Sequence, residues 1–413
     1  MRNLILLFLL ACVNALAQGS GGINAPEHHD KPYLVLISID GFRWDYQDMT
    51  ETPALDRIAE NGVKAERMIP AFPTLTFPNH YTIATGLYPA NHGIVGNYFP
   101  NAARTRWYAM SNRDTVQDGS WYGGRPVWVA AETSGMVTGA YFFVGTEADV
   151  DGVPMTYWHE FDESVAGSTR IKKALEWLSL PLEKRPHFIA LYFERVDEMT
   201  HAYDPGSDQS MAAIQEVDGY LGMLLDGIDE LDIRDDVYLI VVSDHGQTEI
   251  RNDMDAFVID EAVSLEDAEI VDHGAVGFIY LPGHDDARAL TIRNTINGSW
   301  RYGKAYVRHE LPDAWQVPED AHFADVVVQA NPGFKVYSTR DRVTSRLKGS
   351  HGWARESEDM HATFLASGPR LPKGVEIDAI ESVDVYPLMM EILGLPITTP
   401  IDGDPSMLVP LLK

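Results

Sequence analysis

Tyr33-Leu34-Val35-Leu36-Ile37-Ser38-Ile39 is an almost unbroken apolar run that stops on Asp40-Gly41. It lacks the polar alternation of a half-exposed strand, so it predicts a strand buried on both faces of a parallel sheet. Runs of the same kind recur at Ala140-Tyr141-Phe142-Phe143-Val144, His187-Phe188-Ile189-Ala190-Leu191-Tyr192, Val237-Tyr238-Leu239-Ile240-Val241-Val242 and Ala362-Thr363-Phe364-Leu365-Ala366. Helical patterns lie between them. Ile214, Val217, Leu221, Leu224, Leu225 and Ile228 share one face, and a second helix runs from Asp384 as cap to Gly394 as stop. Alternating strands and helices predict an α/β fold with a mostly parallel sheet covered on both sides. In such sheets ligands gather at the carboxyl ends of the strands.

Residues 252–348 break the rhythm with Pro282-Gly283, Asn297-Gly298, Pro312, Pro318 and Pro332-Gly333. Short β-like runs at Gly277-Phe278-Ile279-Tyr280-Leu281 and Val326-Val327-Val328 predict a smaller α+β elaboration inserted into one catalytic domain spanning 31–413. A chain of 413 residues, 45% of them hydrophobic, can bury a large core. Arg2, the apolar stretch from Leu4 to Ala11 and Ala15-Leu16-Ala17 before Gln18 read as an export signal over residues 1–17, followed by a polar lead-in over 18–30. That apolar stretch is shorter than the roughly 20 residues a membrane-spanning helix needs. The competing reading is a lipoprotein signal, with Cys12 of Leu9-Leu10-Ala11-Cys12 lipidated. Cys12 is the only cysteine, so the exported chain has no disulfide. A formal charge of −29 disfavours extended nucleic acid unless a local cationic centre, such as bound divalent ions, meets it. Asn297-Gly298-Ser299 is a glycosylation sequon only for a host that glycosylates. Nothing in the pattern specifies an oligomeric state.

The chemistry gathers around Phe72-Pro73-Thr74-Leu75-Thr76-Phe77-Pro78-Asn79-His80-Tyr81. Pro73 stiffens a loop, and Pro78 suits the first turn of a helix predicted to begin at Phe77 or Pro78. Thr76 then sits at a helix mouth, where unpaired N–H groups and the helix dipole favour a phosphate or sulfate dianion. Its hydroxyl is a candidate nucleophile, or simply a cap. Carboxylates fall where the predicted strands end: Asp40, Asp197 and Asp244, the last beside His245. Asp197 and His201 stand at i and i+4, on one side of a helical turn, a spacing that suits a divalent metal. His351-Gly352 lies in a polar glycine loop. Each has an ordinary alternative: a cap for Asp197, turn chemistry for Asp244-His245, a loop or surface position for the other histidines. Together they supply three carboxylates, three imidazoles and a hydroxyl. That is enough for two zinc-like sites able to clamp the attacking and leaving oxygens of a phosphoryl transfer.

Ser38-Ile39-Asp40-Gly41-Phe42-Arg43, Thr76-Phe77-Pro78-Asn79-His80-Tyr81, Thr85-Gly86-Leu87-Tyr88-Pro89, His92-Gly93-Ile94, Ser243-Asp244-His245-Gly246 and His351-Gly352 resemble the signatures of a known family. It is the nucleotide pyrophosphatase/phosphodiesterase family of the alkaline phosphatase superfamily, and the resemblance spans residues 33–395. It implies an alkaline phosphatase-like fold and two Zn2+ ions or other divalent cations. One would be held by Asp40, Thr76, Asp244 and His245, the other by Asp197, His201 and His351. Thr76 would be the nucleophile of a double displacement through phosphothreonine, and Asn97 would bind a phosphoryl oxygen. Phe77, Tyr157 and Tyr192 match positions that pack a nucleobase. The implied activity is hydrolysis of nucleotide phosphodiesters or pyrophosphates, releasing nucleoside 5′-monophosphate, in an exported, periplasmic or secreted protein.

This sequence departs from the family at three places. Val196-Asp197-Glu198-Met199-Thr200-His201 replaces the usual Pro-Asp-x-x-Gly-His, Trp353-Ala354-Arg355 replaces Tyr-Asp-Asn, and Leu75 stands where Lys or a small polar residue is common. The ligand spacing survives, so these changes bear on substrate more than on metal. The alternatives are a phosphomonoesterase, a diesterase of phospholipid headgroups such as choline phosphodiesters, and an inactive metal-binding surface protein. The Cys/Ser-x-Pro-x-Arg setting of a sulfatase is absent around Thr76.

Overall fold

In a computed structural model describing residues 20–251, 256–319, 323–344 and 346–413, every residue of strand β1 (Tyr33–Ile39) is buried. The proposed signal and Cys12 lie outside the described residues. Alternation along β1 sends Leu34 and Leu36 into one apolar core and Tyr33, Val35, Ile37 and Ile39 into another. A period-two strand can fill two cores only if both faces of its sheet are covered.

The sheet has eight strands: β1, β2 (Gly62–Ala65), β3 (Thr138–Tyr141), β4 (Tyr157–His159), β5 (Phe188–Phe193), β6 (Val237–Val242), β11 (Phe364–Ser367) and β12 (Val375–Ile377). Their spatial order is β12-β2-β11-β6-β1-β5-β3-β4. The apolar run at 362–366 reads like the parallel strands, but β11 pairs antiparallel with both β2 and β6. Apolar continuity reports burial on two faces and is blind to strand direction. The run expected at 140–144 ends early, because Phe142 takes a positive φ of 68° and turns the chain out of the sheet.

Helices α1 (Pro53–Glu60), α4 (Gly167–Leu178) and α6 (Asp208–Asp229) cover one face, and Ile214, Val217, Leu221, Leu224 and Ile228 of α6 all lie in that core. Helices α2 (Thr76–Thr85), α3 (Val127–Ser134) and α8 (Val385–Leu393) cover the other. Asp384 is the N-cap residue of α8 and Gly394 ends it in the left-handed conformation, as the sequence suggests. Four further strands, β7 (Glu269–Asp272), β8 (Val276–Tyr280), β9 (Gly303–Val307) and β10 (Val326–Ala330), form a second, antiparallel sheet in the order β7-β8-β10-β9. Helix α7 (Asp286–Ser299) packs Ala289, Ile292 and Ile296 against Ile279, Ala305 and Val328 on one face of it. The opposite face sends Phe278 and Val327 into the core shared with α2. Among the described residues, no helix is long and apolar enough to cross a membrane.

Candidate active site

The loop that presents Thr76 is tied from within by Asn79. Its Oδ1 accepts from Ala71 N (2.7 Å), and its Nδ2 donates to Pro73 O (2.9 Å), Leu75 O (3.0 Å) and Ala71 O (3.3 Å). Helix α2 begins at Thr76, one or two residues before the start predicted from Pro78, with extended Leu75 as N-cap. Thr76 is therefore inside the first turn and is not a side-chain cap. One first-turn N–H is already used, since Phe77 N donates to Asn97 Oδ1 at 3.0 Å. That bond sets Asn97 beside Thr76, across a sequence gap no local pattern bridges.

The six other expected ligands come together in two groups: Asp40, Asp244 and His245, and Asp197, His201 and His351, with the ligand atoms of each group within 4.8 Å of one another. Asp40 leaves the end of β1 and Asp244-His245 follow β6. Asp197 and His201 sit on one side of helix α5 (Arg195–Tyr203) after β5. Gly41 makes this convergence possible: it holds φ 69°, and a Cβ there would come within 3.0 Å of Asp197 Oδ1. His351 arrives on a loop clamped by buried Thr74, whose Oγ1 donates to Trp353 O (2.7 Å) and accepts from Gly352 N (3.1 Å). Rings of His245 and His351 stack at 3.7 Å, so the two groups adjoin.

All three histidines are fixed in the same sense. Nδ1 of His245 donates to Gly246 O (3.1 Å), that of His201 to Gly349 O (2.8 Å) and that of His351 to Thr74 O (2.9 Å). In a neutral ring this leaves Nε2 as a bare lone pair. His245 Nε2 then faces Asp244 Oδ2 at 3.0 Å, Asp40 Oδ1 at 3.7 Å and Thr76 Oγ1 at 3.4 Å. His201 Nε2 faces Asp197 Oδ2 at 3.4 Å, and His351 Nε2 faces Asp197 Oδ1 at 3.9 Å. Asp40 Oδ1 and Asp244 Oδ2 are buried with no hydrogen-bond partner. Lone pairs aimed at one another out of water repel, and a cation bound between them turns the arrangement favourable. The donor set, nitrogen and oxygen with three protein ligands beside a hydroxyl or an open position, fits zinc.

The electrostatics agree. Burial, and then a neighbouring carboxylate, pushes Asp40, Asp197 and Asp244 well above the usual range. Burial pushes His201 down to about 4 and His351 to about 3, and holds His245 well below its ordinary value. Buried carboxylates that resist ionising beside imidazoles that resist protonation lack positive charge.

A cavity of about 370 Å³ opens from Thr76, Asp40 and Asp197 past Phe77 and Tyr192 to Phe142, Phe143 and Phe161. Tyr192 is in the wall as expected, but its hydroxyl donates to Asp40 Oδ2 at 2.5 Å, so it also braces a candidate ligand. Tyr157 is not in the cavity. Its ring stacks on Trp177 at 5.9 Å and its hydroxyl donates to Lys184 O at 3.3 Å. The reason is directional: Tyr157 starts the parallel strand β4, whereas the cavity lies beyond the strands' carboxyl ends. Phe161, two residues past the end of β4, lines the cavity instead. An aromatic just after a strand end is the signal in the sequence that marks it. Arg113 and Glu147, also unanticipated, form an ion pair in the cavity wall, and Glu147 Oε1 accepts from Phe161 N at 3.1 Å.

Comparison with known proteins agrees with this picture. The family described as type I phosphodiesterase / nucleotide pyrophosphatase matches residues 34–354. Venom phosphodiesterase CdcPDE of Crotalus durissus collilineatus is 32% identical over 408 residues, 95% of this chain and 48% of its own. Ectonucleotide pyrophosphatase/phosphodiesterase family member 1 of Homo sapiens is 30% identical over 90% of this chain and 41% of its own. The chain thus spans about half the length of the first of these relatives and less of the second. Family member 7 of Mus musculus, 30% identical, matches over 87% of its length. Among solved structures, murine ectonucleotide pyrophosphatase/phosphodiesterase 5, an inactive threonine-to-alanine form in complex with AMP, superposes with a TM-score of 0.85. It is 28% identical, with 93% of this chain and 100% of that one covered. With these matches and the alkaline phosphatase-like α/β fold, the chain belongs to the type I phosphodiesterase / nucleotide pyrophosphatase family.

Proposed function

We propose that this chain is an exported two-zinc phosphodiesterase and pyrophosphatase that cleaves nucleotide diesters and releases nucleoside 5′-monophosphate. The observation that bears most weight is the gathering of three carboxylates and three Nε2 lone pairs into two adjoining groups, one of them beside Thr76, with two buried carboxylate oxygens unpartnered. Asp40, Asp244, His245 and Thr76 would hold one ion and Asp197, His201 and His351 the other. Zinc or another divalent ion bound there supplies positive charge that lowers the pKa of the threonine hydroxyl and of a water and offsets charge on the leaving oxygen.

The residues divide the remaining work. Thr76 Oγ forms a bond to phosphorus as the bond to the leaving oxygen breaks, giving phosphothreonine. Water then forms the new P–O bond, the Thr76–phosphorus bond breaks, and the nucleoside monophosphate departs. Asn97, anchored through Oδ1 on Phe77 N, keeps Nδ2 to donate to a phosphoryl oxygen. Tyr192 keeps Asp40 oriented. Phe77 and Phe161 offer aromatic faces to a base, on the order of 1–3 kcal/mol of stacking. A dianionic monoester would call for a further cation, yet the arginine lining the cavity, Arg113, is paired with Glu147. This favours diesters. Murine member 5, named as binding AMP and as inactive in a threonine-to-alanine form, is in keeping with the reading. So are the venom and ectonucleotide names of the relatives, which go with export.

The test is elemental analysis of the purified protein together with steady-state rates on a chromogenic nucleotide diester, a simple monoester and a choline phosphodiester. Two zinc ions per chain and kcat/KM highest on the nucleotide diester are expected. A preference for choline phosphodiester or monoester would overturn the substrate assignment, and bound zinc without turnover would leave a binding protein. N-terminal sequencing of exported protein should begin at Gln18.

A further inference from the structure

Gln247 belongs to neither candidate metal group, yet its side chain reaches one of them. It directly follows Asp244-His245-Gly246 and is fully buried. Its Nε2 donates to Asp197 Oδ1 and, at 3.3 Å, to Asp197 O. The segment after β6 that carries two residues of the first group thus also grips a residue of the second. Two further contacts hold that segment in place. Gln247 O accepts from Arg43 Nη1 at 3.0 Å, and strand Thr248–Glu249 pairs antiparallel with Gly349–Ser350, which leads to His351.

The amide occupies a slot between two glycines. A Cβ on Gly41 would come within 3.0 Å of Nε2, and one on Gly349 within 3.1 Å of Oε1. Gly349 O is also the acceptor of His201 Nδ1, at 2.8 Å. The slot leaves Oε1 buried with no hydrogen-bond partner. An amide carbonyl buried unpaired costs stability, so an apolar side chain of similar size would serve the fold at least as well. Turning the amide over gives no relief, because its carbonyl would then face the Asp197 carboxylate. What the side chain gains is the pair of donations to Asp197.

A carboxylate is free to turn about its side-chain torsions unless something holds it. With Oδ1 tied to Gln247, Asp197 presents Oδ2 to His201 Nε2 at 3.4 Å. The rings of His201 and His351 are already fixed through Nδ1, so Asp197 is the member of the group whose orientation depends on Gln247.

We propose that Gln247 is a positioning residue for the second ion, holding Asp197 so that its carboxylate and the Nε2 atoms of His201 and His351 meet one cation. The proposal rests on the two-zinc reading above. Its effect falls on affinity for that one ion, since the two side-chain donations both go to Asp197. A hydrogen-bonding partner behind a metal ligand typically changes metal affinity by about 10–100-fold.

The test is zinc titration of metal-free protein against a competing chromophoric chelator, for wild type, Gln247→Met, Asp197→Ala and the double variant, with urea unfolding of each metal-free form. Gln247→Met should weaken one of the two zinc ions about 10–100-fold and leave the other within about threefold of wild type. Its metal-free form should unfold at the wild-type urea concentration or above it. In the Asp197→Ala background the further change Gln247→Met should cost less than about threefold, because the amide then has no carboxylate to hold. Undiminished affinity in Gln247→Met, an equal weakening of both ions, an undiminished loss in the Asp197→Ala background, or a Gln247→Met chain that fails to fold overturns the assignment while leaving the two-zinc reading intact. A wild type that binds fewer than two zinc ions removes the reading on which the assignment rests.

Discussion

Replacing Asn79 by leucine of similar size removes four side-chain bonds from the loop that delivers Thr76, without touching a candidate metal ligand. The cost can be worked bond by bond. Pro73 O keeps the bond from Leu75 N at 2.8 Å, and Leu75 O keeps the one from Asn79 N at 3.1 Å. Those two losses, with the long one to Ala71 O, are worth roughly 0.5–1 kcal/mol each. Ala71 N is different, because Asn79 is fully buried and leucine offers no acceptor. An unpartnered buried N–H costs about 1–3 kcal/mol, so the sum is about 2.5–6 kcal/mol. The loop then relaxes, and a displacement of Thr76 by about 1 Å costs on the order of 100-fold in rate. Asn79→Leu should lose about that much in kcat and stability while keeping its full complement of zinc. Urea unfolding followed by circular dichroism, kinetics on the chromogenic diester and elemental analysis read the three quantities. An Asn79→Leu protein within about 1 kcal/mol of wild type and with undiminished kcat would show that Asn79 does not hold the Thr76 loop in place.

Three further outcomes are expected. Thr76→Ala should abolish turnover yet keep its fold and most of its metal, since three other ligands remain in that group; wild-type rates would remove the nucleophile. Asp244→Asn should lose metal first and activity with it, so unchanged zinc content would contradict the ligand assignment. The third concerns acid. His92 is fully buried, with Nδ1 accepting from Ile94 N at 3.2 Å and Nε2–H donating to Thr82 Oγ1 at 3.0 Å, and burial pushes it down to about 3. Its folded value is lowered, so its contribution is complete above the unfolded value of about 6.5 and is lost as pH falls. Between pH 7 and 5 that loss is roughly 2 kcal/mol, because the unfolded chain alone takes up the proton. Urea unfolding of His92→Gln at both pH values should show a pH dependence flatter by that amount, and an identical dependence would count against a neutral buried imidazole.

Elements whose signals are local can be read from the residues alone. The apolar run at Tyr33–Ile39 announced a strand buried on both faces, the spacing of Ile214, Val217 and Leu221 announced a helix face, and Gly394 announced a helix end. The sequence also named the residues that meet at the candidate metal groups, but each taken alone has an ordinary role, and their division into two ligand sets came from the family resemblance. Features that emerge only on folding depend on direction and on contacts between distant segments. The reversal of β11 leaves no mark in an apolar run. The early end of β3 rests on one positive φ at Phe142. Tyr157 and Phe161 are both aromatics near β4, and only the strand's direction tells which one reaches the cavity. Residue type fixes what a side chain can do, but burial, orientation and company fix whether it does so at the site, and those are properties of the folded chain.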